Sequence, residues 1–440
     1  MSQAKITAWT NKADFRGTFI SNMKAPIHRW FRYPAGFSFS IVEECFIRYK
    51  VNEKSVVLDP FAGVGTTSVC AKKLGIESIG VEAHPLASWV AKVKTNWSFD
   101  LDELNKETDD ALEGIESAIK ENKVTDITDT PKLLRKCFSD EKLAELFIIK
   151  KYIRKVSDKK GDLKDLCTLA LLGVLRKVSE ASTGWPYLLP KKKRKKTPDA
   201  FETYYQQLRM MVSDLETTVT KKNKGVPANI ITGDARALSS IIDKEIDFAF
   251  TSPPYLNNYD YADRTRLELY FLSPVKFEDK SIEFSKWKDL TEHIRKKLIV
   301  SASHQAVEIG LREGLLPHPE IERSVKKKLL EASTKLREEK KHHGGHKNYD
   351  IMVVAYFNDM FETFREIYEL MKPGSSYLLI LGDSAPYGVH IPTDVYLAKI
   401  AQGVGFSSAE IIILRKRGDK WASAPKHTVP LRESMVILKK

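Results

Sequence analysis

The stretch Val56-Val57-Leu58-Asp59-Pro60-Phe61-Ala62-Gly63-Val64-Gly65-Thr66-Thr67 decides the fold. A short apolar run ends in an acid and a proline, and two glycines then lead into residues 66–74, which carry a helical pattern. Strand, glycine turn and helix open an α/β unit, and the glycines let the backbone approach a ligand at the helix start. The next apolar run, Ile79-Gly80-Val81, ends at Glu82. A carboxylate at that strand end can accept both hydroxyls of a ribose. Ser68 stands where a dinucleotide fingerprint has its third glycine, and no Gly-Lys-Ser/Thr follows, which argues against a triphosphate loop.

The same rhythm continues outward. Ile230-Ile231 ends at Gly233-Asp234, residues 246–250 run into Thr251-Ser252-Pro253-Pro254-Tyr255, and residues 377–381 end at Gly382-Asp383. Residues 410–414 and 434–438 close the chain as two more strands. Residues 356–371 form an amphipathic helix, with Phe357, Phe361, Phe364 and Tyr368 at helical spacing and Pro373-Gly374 as its stop. Strands alternating with helices predict an α/β, Rossmann-like, doubly wound sheet of seven strands, with ligands at the carboxyl ends of the strands. Two polar, helical, basic stretches interrupt it, so the chain divides into residues 1–100, a helical insertion 101–225, residues 226–274, a second insertion 275–348, and residues 349–440. Insertions of that length at the ligand edge of a sheet commonly carry substrate recognition.

Ser252-Pro253-Pro254-Tyr255 is the most specific segment. Two prolines after a buried strand fix the backbone and remove two N–H donors, which leaves carbonyls and the Ser252 hydroxyl as acceptors. Tyr255 offers a flat face on which a base can stack. An exocyclic amino group on a base is a poor nucleophile, because its lone pair is conjugated with the ring. Two acceptors on its two N–H bonds turn the nitrogen toward a tetrahedral shape and free the lone pair for in-line attack. The base reaches such a loop only by leaving the duplex.

At these residues the chain resembles the amino-group DNA methyltransferases. Residues 59–67 are similar to their cofactor motif and residues 251–255 to their catalytic motif. The resemblance implies S-adenosylmethionine as cofactor, with Asp59, Phe61, Gly63, Gly65 and Thr66 at its turn, Glu82 on the ribose and Asp234 on the adenine ring. Phe37, within Arg32-Tyr33-Pro34-Ala35-Gly36-Phe37-Ser38, resembles the motif packed on the methionine end. Ser252, Pro253, Pro254 and Tyr255 are then the catalytic residues. The partner implied is double-stranded DNA with a flipped base, alongside a cognate restriction endonuclease. In the family, Ser-Pro-Pro-Tyr accompanies cytosine N4 more often and Asp-Pro-Pro-Tyr adenine N6, so cytosine N4 is the expected target and adenine N6 the alternative. RNA base methylation and an inactive nucleic-acid-binding protein are further alternatives. Attack at cytosine C5 is disfavoured: it requires a cysteine nucleophile, which the cytosine-C5 enzymes hold in a Pro-Cys dipeptide, and no cysteine here follows a proline.

Composition agrees. Lys and Arg number 71 against 58 Asp and Glu, a net charge of +13 that favours a polyanionic partner. The basic run Lys191-Lys192-Lys193-Arg194-Lys195-Lys196 sits in an extended, proline-flanked loop with Trp185 and Tyr187, and is expected either to contact phosphates or to be solvated. Cys45, Cys70, Cys137 and Cys167 have no Cys-x-x-Cys spacing, which suits a reducing compartment. His342, His343 and His346 lie among two glycines and are expected to form a flexible loop; no metal is required. Asp383 either lines the pocket or caps a turn. Neither a signal-peptide core nor a membrane-length apolar run is present, and the expectation is a cytoplasmic, nucleoid-associated prokaryotic protein.

Overall fold

The computed structural model describes residues 5–8, 21–33, 36–121, 127, 130–156, 162–182, 189–272, 275–276, 283–284, 287–308, 317–417 and 431–440. The first part of the chain supplies β1 (Lys5–Ala8), α1 (Phe39–Arg48), β2 (Val56–Asp59), α2 (Thr66–Lys73), β3 (Glu77–Glu82) and α3 (Pro85–Thr95). A helical segment follows, α4 (Leu101–Lys120), α5 (Lys132–Cys137), α6 (Asp140–Lys155), α7 (Asp162–Val178) and α8 (Ala200–Thr218), with a small hairpin of β4 (Ala181–Ser182) and β5 (Leu189–Lys193). The sheet resumes with β6 (Ala228–Thr232) and β7 (Ile246–Thr251). A second helical stretch contains α9 (Tyr261–Arg264), α10 (Arg266–Leu272), the short hairpin β8 (Val275–Lys276) and β9 (Glu283–Phe284), α11 (Trp287–Lys297), α12 (Ser303–Glu308) and α13 (Arg323–His342). The chain closes with α14 (Tyr349–Leu370), β10 (Met371–Gly382), α15 (Thr393–Val404), β11 (Ser408–Arg417) and β12 (Leu431–Lys439).

Among the described residues the main sheet has eight strands in the order β1-β11-β12-β10-β7-β2-β3-β6. Neighbours run parallel except at β12, which is antiparallel to both β10 and β11. The seven expected strands are all present, and the fold is the expected mostly parallel α/β sheet. The eighth, β1, adds itself alongside β11 at the edge. Four residues without a clear apolar period gave no signal for it, and its pairing is a tertiary event. Val57 and Leu58 of β2 and Ala249 and Phe250 of β7 are wholly buried, as central parallel strands covered on both faces must be. Chain order turns back between β2 and β7, and such a switch point leaves a crevice at the carboxyl ends of the strands.

Two boundaries differ from expectation. Helix α14 begins at Tyr349 rather than at residue 356, because Met352, Val353, Val354 and Ala355 extend its buried side. It ends at Leu370, before the proposed stop. Pro373 and Gly374 belong instead to an irregular stretch of β10, where the register with β7 slips between Met371 and Ser376.

The helices around α3 and the first helical segment share one apolar core. Trp30, Val69, Val90 and Trp97 pack in the same cluster as Leu146, Leu166, Leu172, Tyr204 and Leu208, and Leu267, Phe271 and Leu290 join it from beyond β7. Asp214 on α8 fastens this union. Its buried carboxylate accepts hydrogen bonds from the Ile27 amide (2.8 Å), the Trp30 indole (3.0 Å) and the Arg29 guanidinium (Nε, 3.0 Å). Asp214→Ala strands a partly buried cation and two buried N–H donors, so a loss of ~3 kcal/mol is expected in urea denaturation. An unchanged midpoint would show that Asp214 fastens nothing.

The basic run is divided in its roles. Nη1 of Arg194 donates to the carbonyls of Lys177 (2.7 Å) and Ser179 (3.1 Å), closing the carboxyl end of α7. Lys193 reaches the Lys136 carbonyl at 3.1 Å. These two are structural cations, while Lys195 and Lys196 are exposed. Trp185, Pro186 and Tyr187 lie outside the described residues. The histidine cluster is not a free loop: α13 runs to His342, and His343 stacks on Tyr387 with ring centroids 4.5 Å apart. Asp383 is buried, bonded to His390 at 3.1 Å and close to Arg432, which is the turn-holding alternative. No helix among the described residues is long and apolar enough to cross a membrane.

Candidate active site

The crevice at the switch point is a cavity open at its mouth. Its floor is the turn after β2. Gly63 and Gly65 hold positive φ angles of 53° and 83°. A Cβ on Gly65 would come within 3.1 Å of the Ala91 Cβ and would strain the left-handed backbone, so glycine lets the turn sit close against α3. Asp59 ties the floor to its neighbours. Its carboxylate accepts from the hydroxyls of Thr67 and Thr251 (both 2.6 Å) and from the Phe61 amide (3.1 Å), linking β2, α2 and β7. Burial pushes its pKa up to about 6, against the pull of those hydrogen bonds. Asp59 therefore shapes the turn and does not itself line the cavity.

Glu82 does line it. One carboxylate oxygen accepts the Gly63 amide at 2.8 Å and the other the His84 amide at 2.7 Å. Burial raises its pKa to about 7 despite these two donors. Both acids thus hold protons in the folded chain at pH values where the unfolded chain has released them. Linkage then fixes the sign: their contribution to stability is greatest below pH 4 and declines as pH rises through 6 and 7. Thermal melts of the ligand-free protein across that window are expected to fall with pH. A ligand whose hydroxyls bond to ionised Glu82 should bind with proton release, read by calorimetry in buffers of different ionisation enthalpy.

The remaining expected residues divide. Phe37, Phe61, Gly63, Thr66, Glu82, Ser252 and Pro254 come together around this one cavity. Gly65 lies beneath it as the N-cap of α2. Asp234 does not reach it: both carboxylate oxygens are bonded to the guanidinium of Arg236, at 2.7 Å for the closest pair, and the adjacent Ala235 lines the wall instead. Pro253 is buried beside Ser252. Tyr255 also stands off the cavity, its hydroxyl donating to Glu433 at 2.9 Å and its amide to the Tyr261 hydroxyl at 3.2 Å. Pro34 and Ala35 of the first motif lie outside the described residues.

Comparison with known proteins bears on what such a crevice does. Residues 7–113, which include the glycine turn and Glu82, match a family model described as DNA methylase, one covering N6 and N4 enzymes. The chain is 26% identical to the Type II methyltransferase M.BsoBI of Geobacillus stearothermophilus, across 96% of this chain and 87% of that protein. It is 25% identical to the Type II methyltransferase M.AvaI of Nostoc sp. strain PCC 7120, across 90% and 82%, and 22% identical to M.MvaI of Kocuria varians, across 88% and 83%. These matches support an amino-group DNA methyltransferase family for this chain.

Several cavity residues were not singled out individually by sequence reasoning. Tyr33 and Tyr261 supply aromatic walls, and residues 297–299, at the end of α11, supply a third. The last is held in place from the loop after β6 and from α14. Arg236 donates to the Lys296 carbonyl at 3.1 Å, and the Val300 amide donates to Asp359 at 2.9 Å. Asp260, just past the catalytic motif, joins the same unit by accepting from Arg295 (2.6 Å) and His304 (3.0 Å). Burial opposes its ionisation, but those two donors outweigh it and hold the carboxyl well below the ordinary range. The only sequence signal was the aromatic spacing of Tyr255, Tyr259 and Tyr261, since contacts between α11 and the sheet leave no local pattern.

Proposed function

We propose that this methyltransferase transfers a methyl group from S-adenosylmethionine to the N4 amino group of a cytosine flipped out of duplex DNA, as the modification enzyme of a restriction–modification pair. One observation carries the reading: the Ser252-Pro253-Pro254 turn and the Gly63–Glu82 turn face a single cavity from adjacent strand ends. The cavity fits the cofactor. A buried carboxylate suits two ribose hydroxyls, the Gly63–Gly65 turn admits close backbone approach, and Phe37 with Tyr33 gives the methionine end an apolar surface. Ala83, Ala235, Leu298 and Ile299 give the purine a slot. Asp234, paired with Arg236, serves that end by fixing Ala235 and the strap after α11.

Bound S-adenosylmethionine supplies an electrophilic methyl group on a sulfonium. The chain's own part is to hold the amino nitrogen in line with it. The Ser252 hydroxyl and the Pro253 carbonyl would accept the two amino N–H bonds and drive the nitrogen toward a tetrahedral shape. The surplus amino proton would then leave past the Ser252 hydroxyl to solvent. Tyr255 would stack on the flipped base. A cysteine adduct has no support, because all four cysteines are buried in the core, away from the cavity. Both helical segments, with exposed lysines on α13 and after β5, are proposed to hold the DNA and read its sequence. The Type II names of the relatives support a cognate endonuclease as partner.

The test is methyl transfer from labelled S-adenosylmethionine to mixed-sequence duplex DNA, read by nucleoside mass spectrometry. N4-methylcytosine is the expected product. N6-methyladenine would keep the mechanism and change the base. Transfer only to structured RNA, or none at all, would overturn the reading.

A further inference from the structure

Tyr255 is gripped at its far end by the terminal hairpin, and the grip depends on a fault in the sheet. Strands β11 and β12 pair regularly to Ile413 opposite Ser434, and then the register shifts so that Arg415, not Leu414, stands opposite Glu433. One extra residue in β11 therefore brings a guanidinium to the face that regular alternation would give to Leu414. Arg415 Nε donates to one oxygen of Glu433 at 2.6 Å, and the Tyr255 hydroxyl donates to the other at 2.9 Å. The Glu433 side chain is only 3% exposed. Burial disfavours the Arg415 cation, yet Glu433 outweighs that and holds its proton more firmly than usual. At its near end Tyr255 is fixed through its backbone, the amide to the Tyr261 hydroxyl and the carbonyl to the Asn257 amide at 2.8 Å. A bulge beside a ligand-binding strand end commonly re-aims a side chain, and here it completes a bonded chain ending on the base-facing loop.

We infer that Glu433 is a positioning residue for methyl transfer, which with Arg415 locks the ring plane of Tyr255 so that it forms a rigid stacking surface for the flipped base. This rests on the proposed role of Tyr255. A ring free to turn costs ordering when the base arrives, whereas one bonded at both ends is ordered beforehand. The arrangement acts on the target side alone, so cofactor binding should be indifferent to it.

Glu433→Ala, Glu433→Gln, Tyr255→Phe and the double variant Glu433→Ala/Tyr255→Phe of the whole chain would be compared on mixed-sequence duplex DNA. Transfer rates would be read alongside calorimetric affinity for S-adenosylhomocysteine. Glu433→Ala is expected to lower the maximal rate about tenfold, the size of a typical close coupling, with cofactor affinity unchanged. Glu433→Gln, whose amide oxygen can still accept the phenol, should recover most of that rate. In the Tyr255→Phe background Glu433→Ala should cost almost nothing more. An equal tenfold loss in that background would show that Glu433 only supports the sheet, and would overturn the inference. So would a wild-type rate in Glu433→Ala. Loss of cofactor affinity in Glu433→Ala would likewise overturn it. Absence of transfer by the unaltered protein would sink the methylation reading itself, and the inference with it.

Discussion

Ser252→Ala is expected to lower methyl transfer by about 10²–10³-fold, the usual cost of removing one preorganised hydrogen-bonding partner from a reacting group. Affinity for S-adenosylhomocysteine should stay within about twofold of the unaltered protein, well under the ~1.4 kcal/mol that marks a tenfold change. The separation follows from where the residue sits. Ser252 is the first residue beyond β7, and the strand end before it is anchored independently by the bond from Thr251 to Asp59. Pro253 and Pro254 after it are fixed by their rings. Truncating the hydroxyl therefore leaves the backbone in place and removes a single acceptor. In the proposed mechanism its loss leaves one amino N–H without a partner in the transition state, so the effect should fall on the maximal rate rather than on cofactor KM. Transfer at the unaltered rate would mean that the amino group is held by other atoms, and the mechanism would have to be redrawn around the Pro253 carbonyl.

Glu82→Ala should act on the opposite half of the cavity. Each hydrogen bond to a charged group contributes about 1.5–3 kcal/mol, so loss of the two proposed ribose contacts predicts a cofactor affinity lower by about two to four orders of magnitude. The floor of the cavity should suffer as well, because Glu82 holds the Gly63 and His84 amides. Calorimetry with S-adenosylhomocysteine measures the loss, and circular dichroism shows whether the sheet has survived it. Duplex binding, read by fluorescence anisotropy, is expected to persist, since the exposed lysines proposed to carry it lie on other elements. Asp234→Asn is the useful contrast. Asp234 contacts Arg236 rather than the cavity, so its effect on cofactor affinity should be several times smaller than that of Glu82→Ala. Equal losses in the two variants would place Asp234 in the site after all.

The parts of the site that could be read in the sequence are those whose chemistry is local. A glycine turn between strand and helix, an acid at the next strand end and a serine before two prolines each impose their geometry within a few residues. That is why Gly63, Glu82, Ser252 and Pro254 meet in one cavity as the pattern implied. Residues whose role is set by distant partners were not legible. Asp59 resembles a ligand-binding acid, but its oxygens are taken up by Thr67, Thr251 and Phe61. Arg194 looks like one more phosphate-seeking cation, yet it closes a helix whose last residue lies well upstream in sequence. Nothing near Tyr255 announces Glu433, and nothing near the cavity motifs announces residues 297–299. The same holds for β1: its pairing with β11 spans almost the whole chain.

The shared core around Trp30, Trp97, Tyr204 and Phe271 has an evolutionary consequence. A specificity region joined to its catalytic body by a polar linker can be exchanged between enzymes as a cassette. Among the described residues no such seam exists, because the helices proposed to read DNA also cover α3 and are clasped to residues 27–30 by Asp214. Excising them would strip apolar surface from the body, and a transplanted segment would have to reproduce the whole packed face. New sequence specificities in this lineage should therefore arise by point replacement on exposed helix faces, not by recombination of intact blocks.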